Sequence, residues 1–195
     1  MTVYQAGQHR PLEGGPSFSL AHRVARGIWA VTWLLLASWT PRQLHDWRRF
    51  MLRAFGARMG HLADVRGSAR VWYPKHLTMG DRSMLAAGVI CYNMAPIDIG
   101  SSTIVSQRAH LCAGTHDSES PGFELQVRPI AIGCNVWIAA EAFVGPGATV
   151  GDGAVLGARA VAFGRLEPWT VYVGNPARIL RPRKMRSGGG RPPTD

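Results

Sequence analysis

The residues best suited to chemistry lie in one polar stretch, CAGTHDSESPGFELQVRP, between Leu111 and Ile130. It holds His116, with Asp117 beside it and Glu124 further along. An imidazole has an ordinary pKa near neutrality, so it can take a proton from an attacking group and later return it. Such a base usually has its tautomer held by a carboxylate or a backbone carbonyl, and Asp117 and Glu124 are the candidates. Asp117, adjacent to the histidine, could instead fix the loop. A histidine in a polar loop is also a common solvated residue, and the residues alone leave both readings open.

The stretch interrupts a regular pattern. Ile132, Ile138, Val144, Val150, Leu156 and Ala162 form an apolar column at a six-residue period. A second column, Ile130, Val136, Ala142, Ala148, Ala154 and Ala160, runs two residues ahead of it. Gly133, Gly145, Gly151 and Gly157 follow members of the first column. Upstream, Val65, Val71 and Leu77 keep the period; so do Met79, Leu85, Cys91 and Ile97, then Ile99, Val105 and Leu111. The phase slips by two residues near Leu77–Met79 and again near Ile97–Ile99. Each six-residue unit reads as a short strand and a corner, with three units closing a triangular coil of roughly 18 residues. The aliphatic residue points inward, the small residue relieves the corner, and Gly or another permissive residue takes the turn. Ordinary antiparallel strands would alternate at period two and leave this column unexplained. A long polar excursion from such an array is expected to be functional.

Upstream of the array the pattern differs. Residues 1–16 read as a flexible arm. Gly27 to Trp39, GIWAVTWLLLASW, is apolar on nearly every face. It is too short for a spanning helix, which needs roughly 20 residues, and suits burial against a partner or a membrane interface. Thr40 and Pro41 read as the N-cap and first residue of a second helix, with Gln43 in a capping-box position. Leu44, Trp47, Met51 and Phe55 form its expected buried stripe, with Arg48, Arg49 and Arg53 between them, and Gly56 stops it. The expected organisation is a helical segment over 17–60, a β-helix over 61–166 carrying the loop 112–129, an extension over 167–186, and a disordered tail over 187–195.

Composition agrees with short strands and tight corners: 17% charged residues, 23 Gly and 13 Pro in 195 residues suit a helical bundle badly. The formal charge is +10, concentrated before residue 60 and after residue 177, which favours phosphorylated ligands, anionic membranes or nucleic acid without choosing among them. Three cysteines, Cys91, Cys112 and Cys134, with no CxxC pair, argue against a disulfide framework and a structural zinc site. No secretory signal heads the chain, so a reducing cytoplasm is the expectation.

The ordered set of motifs resembles the bacterial hexapeptide-repeat acyltransferases, and within them the colanic-acid-biosynthesis acetyltransferase group of sugar O-acetyltransferases. The resemblance spans about residues 17–183. It includes the Trp-rich lead helix, LHDWRRFMLRAFGARMG, the GTHD loop, RPIAIGCNVWIAAEAFVGPGATVGDGAVLGARAV and PWTVYVGNPARILR. Galactoside and maltose acetyltransferases are similar at greater distance. The resemblance implies a left-handed parallel β-helix and a homotrimer with active sites in the grooves between subunits. It also implies acetyl-CoA as co-substrate and a sugar hydroxyl in exopolysaccharide biosynthesis as acceptor.

By the same resemblance His116 is the general base, and Glu124 lies where the galactoside enzymes place a carboxylate. Asn93 matches the acceptor-binding Asn, though Asn also suits β-helix corners because it tolerates left-handed backbone angles. Trp137 lines the pantetheine groove or packs outside the coil. Ala139, Ala140 and Ala158 lie where small residues admit the coenzyme arm. Arg178 and Arg181 resemble the basic residues that meet the phosphoadenosine end, for which guanidinium–phosphate pairing is the reason. Two departures stand out: Ala139 replaces a frequent Gly, and Arg165 stands near a frequent Lys.

Three other readings differ in class. The acceptor could be a small-molecule alcohol outside polysaccharide synthesis. A zinc enzyme like the γ-type carbonic anhydrases would draw on His76, His110 and His116, but a spacing of six puts the last two on successive faces, whereas a catalytic zinc needs three converging ligands; no metal is expected. A basic scaffold lacks any nucleic-acid-binding motif, so no nucleic-acid partner is expected, while the lead helix leaves peripheral membrane contact open.

Overall fold

The inward columns close into coils. The structure, a computed structural model, describes residues 4–5 and 17–184. Its body is a parallel β-helix of three faces, five full coils and a partial sixth. The first face stacks Arg58–Met59, Leu77–Met79, Ile97–Ile99, Ile130–Ile132, Thr149–Val150 and Arg165–Leu166. The second stacks Asp64–Val65, Met84–Leu85, Ile104–Val105, Trp137–Ile138, Val155–Leu156 and Thr170–Val173. The third stacks Arg70–Val71, Ile90–Tyr92, His110–Cys112, Phe143–Val144 and Val161–Ala162. Every member of the sixfold columns is buried. In-register parallel pairing puts like on like, with Ile138 between Val105 and Leu156, so each coil covers its neighbour's apolar interior. The column outlasts the six-residue count: Leu166 and Tyr172 take inward positions in a shortened last coil, and Tyr172 lies beyond the expected boundary at 166.

The phase slips have a place in space. Met59, Met79 and Ile99 stack in register although twenty residues separate each from the next, whereas Ile132 and Val150 are eighteen apart. The added residues sit at the corner between the third and first faces, where Pro74–His76 form a 3-10 turn and the next coil runs through Asn93–Pro96. The polar excursion leaves from that same corner one coil later. Three departures from the repeat are therefore stacked on one edge of the prism.

At the other corners, the left-handed backbone falls largely to ordinary residues, among them Leu62, Arg82, Arg108, Glu141 and Arg159. The glycines that follow the inward column act differently from the turn role expected of them. Gly133 is not among the residues of positive φ; a Cβ there would collide with the Asp152 carboxylate of the next coil, which accepts a hydrogen bond from Cys134 N at 2.7 Å. Close stacking of corners, not a special dihedral angle, excludes a side chain.

Two helices cover the first coil. Helix α1, Leu20–Leu36, begins seven residues before the apolar run, capped by Ser19 Oγ accepting from His22 N at 3.3 Å. Its inner face is two tryptophans: Trp29 Nε1 donates to Val71 O at 2.7 Å and Trp33 Nε1 to Gly67 O at 3.0 Å. The other face, including Leu20, Val24, Ile28, Val31 and Leu35, is exposed. No described helix is long and apolar enough to cross a membrane.

The second helix departs from expectation at its start. Thr40 is not its cap: its hydroxyl donates to Ala37 O, and a 3-10 turn over Arg42–Leu44 precedes α2, His45–Ala54. Leu44 and Trp47 are exposed, and the buried set is Arg48, Met51 and Leu52. Arg48, fully buried, donates to Val65 O, Thr40 Oγ1 and Pro41 O at 2.7–2.9 Å and pairs with Asp64 at 3.3 Å. Part of the basic N-terminal cluster is thus structural, since a buried guanidinium needs this many partners. Gly56, at φ +94°, does end the helix: its N–H reaches Arg53 O and that of Ala57 reaches Leu52 O.

At the opposite end Arg178–Pro182 turns back antiparallel on Thr170–Val173. Arg183 pins it by donating to Asn135 O and Gly153 O at 2.7 and 2.8 Å. Within the expected arm, Tyr4–Gln5 pairs antiparallel with the excursion at Gln126–Val127. The rest of the arm and the tail from 185 lie outside the described residues.

Candidate active site

The excursion is a hairpin, not an irregular loop. Gly114–His116 pairs antiparallel with Leu125–Val127. A Cβ at Gly114 would press on Met94 Sδ on the corner beneath, so that side chain would have to shift. At the hairpin's tip His116 Nδ1 lies 2.7 Å from Phe123 O. A carbonyl only accepts, so Nδ1 carries the proton and Nε2 keeps a lone pair in the neutral ring. Phe123 holds a left-handed φ of +46°. The partner at Nδ1 is therefore a backbone carbonyl. Asp117 fixes the loop: one carboxylate oxygen accepts from Glu119 N and the other from Gln126 Nε2, each at 3.0 Å, while its N–H donates to Glu124 O.

His116 lines a cleft of about 500 Å³ at the irregular corner, with Tyr92 and Met94 from the coils, Phe18 from just before α1, and Arg23 and Arg26 from its first turns. Trp72 completes an aromatic wall, its ring centroid 5.2 Å from Phe18 and 5.7 Å from Tyr92. Sequence reasoning missed Trp72, Tyr92, Arg23 and Arg26. The two phase slips were the available signal, because they marked where the coil widens.

Asn93, expected at the acceptor, lies inside the enlarged corner. It is fully buried, its Oδ1 accepting from Tyr73 N at 3.0 Å and its Nδ2 donating to Tyr73 O at 2.8 Å. Its own carbonyl lies 3.2 Å from His76 Nδ1. It clamps one enlarged corner onto the next and is absent from the left-handed residues.

The residues expected to hold coenzyme gather elsewhere. Trp137 stands on the second face between Ile104 and Val155, half exposed, its Nε1 donating to Ser106 Oγ at 2.9 Å. Ala139 is buried, Ala140 half-buried and Ala158 exposed at the neighbouring corners. Arg178 and Arg181 are exposed on the closing strand; their guanidinium groups reach only adjacent carbonyls at 3.2 Å, so neither has a carboxylate partner among the described residues. Arg165 is instead paired with Glu167 at 3.1 Å. None of these lines the His116 cleft.

The histidines of the zinc reading stay apart. His76 faces Asn93 O, and His110 stacks edge-on against Phe143, with its Nε2 buried. No described group of three or more His, Cys, Asp or Glu could hold a metal ion.

A parallel β-helix with a histidine-tipped hairpin at one corner defines a hexapeptide-repeat transferase scaffold. The family model "Bacterial transferase hexapeptide (six repeats)" matches residues 129–163. The protein of Escherichia coli (strain K12) named for colanic acid biosynthesis as the acetyltransferase WcaF is 42% identical over 155 residues, covering 80% of this chain and 85% of its own. The chain therefore belongs to the hexapeptide-repeat acetyltransferases, in the group of WcaF. Among solved structures, a maltose O-acetyltransferase from Clostridium difficile 630 superposes with a TM-score of 0.78 at 24% identity, covering 86% of this chain and 90% of its own. The acetyltransferase VCA0836 from Vibrio cholerae, complexed with acetyl coenzyme A, gives 0.75 at 24% identity, over 85% and 88%. At that identity they attest the fold.

Proposed function

We propose that this acetyltransferase moves the acetyl group of acetyl-CoA directly to a hydroxyl of a sugar in exopolysaccharide biosynthesis, with His116 as general base. The observation that carries this is the Nδ1–H···O=C bond to Phe123, which leaves Nε2 as the basic atom of a residue lining the cleft. The hydroxyl gives its proton to Nε2 as its oxygen forms the new C–O bond to the thioester carbonyl. The C–S bond then breaks, and the imidazolium returns the proton to the departing sulfur. Arg178 and Arg181, without carboxylate partners among the described residues, suit the phosphates of the coenzyme. Thiol release from acetyl-CoA across a panel of glycosides tests the reaction; release that ignores every sugar and follows a non-carbohydrate alcohol would replace the acceptor class.

The homotrimer belongs to the same proposal. His116 and the Arg178–Arg181 strand lie apart in one chain, so a groove between subunits would join them. Mixing His116→Ala chains with Arg178→Ala/Arg181→Ala chains should restore turnover that neither has alone; no restoration would place the whole site in one subunit.

The enzyme works in the cytoplasm, with the exposed apolar face of α1 resting on the anionic inner membrane surface and nearby arginines meeting the headgroups. Vesicles containing anionic lipid should carry the full chain but not one lacking residues 17–58 in a flotation gradient. Flotation by neither would remove the membrane from this reading.

A further inference from the structure

The cleft at His116 is unusually furnished for a neutral sugar. Arg26 reaches into it from α1, its guanidinium carbon 4.2 Å from the ring centroid of Trp72 and 5.6 Å from that of Phe18. Cation–π contact holds the group flat and in place. It makes no ion pair among the described residues, and its Nε is buried without a hydrogen-bond partner. Burial also pulls the Arg26 pKa below its usual value, while the neighbouring Tyr92 opposes the shift. A buried donor without an acceptor is costly, and the rest of this half-buried guanidinium is free to meet an anion in the cleft. Arg23, one turn earlier on the same helix, lines the cleft beside it. Among the described residues no carboxylate does.

We propose that this cleft selects an anionic acceptor: a sugar whose phosphate or carboxylate is gripped by Arg26 and Arg23 while its hydroxyl lies at His116. The proposal rests on the reading of His116 as the base in this cleft. A planar guanidinium with free donors matches either oxyanion bidentately. Phosphate and carboxylate share that chemistry, and they would come from different acceptors: a sugar still joined to a phosphate carrier, or an acidic sugar residue.

The test compares matched acceptors with acetyl-CoA held constant: methyl hexosides, hexuronic acids, hexose 1-phosphates and nucleoside-diphosphate hexoses. We expect kcat/KM for one anionic group to exceed that for the neutral glycosides at least tenfold. Arg26→Ala should cut that ratio by roughly tenfold or more, the scale of a charge-assisted contact. Arg26→Lys, which keeps the charge and loses the planar fork, should recover part of it. Preference for uronic acids assigns the carboxylate source, and preference for phosphates assigns the carrier. Calorimetric binding of hexose 1-phosphate and hexuronic acid to the wild type and to Arg26→Ala reads the same selectivity without turnover. Equal use or binding of neutral and anionic sugars, or a ratio unchanged in Arg26→Ala, would overturn the proposal. Neutral-sugar turnover abolished in His116→Ala would still leave the acetyltransferase reading standing.

Discussion

The second face of the prism and the corner between its third and first faces are built from the same chain under opposite rules. On the second face Val105, Ile138 and Leu156 stack fully buried in strict register, and the sequence there could be cut almost anywhere into equivalent sixes. At the corner the coil takes up extra residues twice and then throws out a hairpin. Polar groups without partners collect beside it: His22 Nδ1 and Arg26 Nε. The ladder barely notices. Ile97 and Ile99 pair with Ile130 and Ile132 across the whole excursion. A solenoid coil is closed by its neighbours' ladders, so one corner can be rebuilt for chemistry while the other walls carry the stability.

That division can be broken deliberately. The largest effect should come at the corner and in turnover alone: His116→Ala is expected to lower kcat by about 10²–10⁴-fold, the usual contribution of a positioned base, with its urea midpoint unmoved. An unaffected rate would remove His116 from the chemistry. On the wall, Leu156→Ala should lose about 2–5 kcal/mol of stability for a buried leucine, measured by urea unfolding. A smaller loss would mean that the coils can collapse to fill the gap.

Asn93 tests where the boundary between the two regions lies. Its removal by Asn93→Ala leaves the Tyr73 N–H and C=O without their side-chain partners, so about 1–3 kcal/mol of stability should go. Undiminished stability with a raised acceptor KM would return Asn93 to the acceptor. The smallest effect is a pH dependence at His110. Burial holds its pKa below 6.5, so the unfolded chain takes up a proton at a pH where the folded chain does not. The contribution of neutral His110 to stability is therefore complete above about pH 6.5 and is lost as pH falls through the lower folded value. The thermal midpoint should drop between pH 7.5 and 5.5, and less so in His110→Phe; His22, held low chiefly by burial, would leave a residual slope. An identical drop in the variant would exclude His110.

How far the sequence could be read depended on repetition. The inward columns were legible residue by residue because burial recurs every six positions, and His116 was legible because it stands where the columns stop. Where the signal was local, readings went astray. A Thr-Pro start looked like a helix cap, yet the Thr40 hydroxyl was claimed by Ala37 O and Arg48. Arg48 looked like surface charge but fills the space between α2 and the first coil, a fact with no periodic trace. Asn93 had the right type for a ligand or a left-handed corner, and its partner Tyr73 is twenty residues away.

By itself, then, the sequence determined the prism: a sixfold apolar column leaves a chain few ways to bury itself other than as stacked three-sided coils. It also announced the excursion and its histidine. Only the tertiary structure decided what surrounds that histidine. The carbonyl of Phe123 at its Nδ1, the aromatic wall of Trp72 and Tyr92, and Arg26 on α1 come from segments with no common spacing. They meet because two widened corners and a helix pack on the same edge, and such contacts are set by three-dimensional closure rather than by any period in the chain.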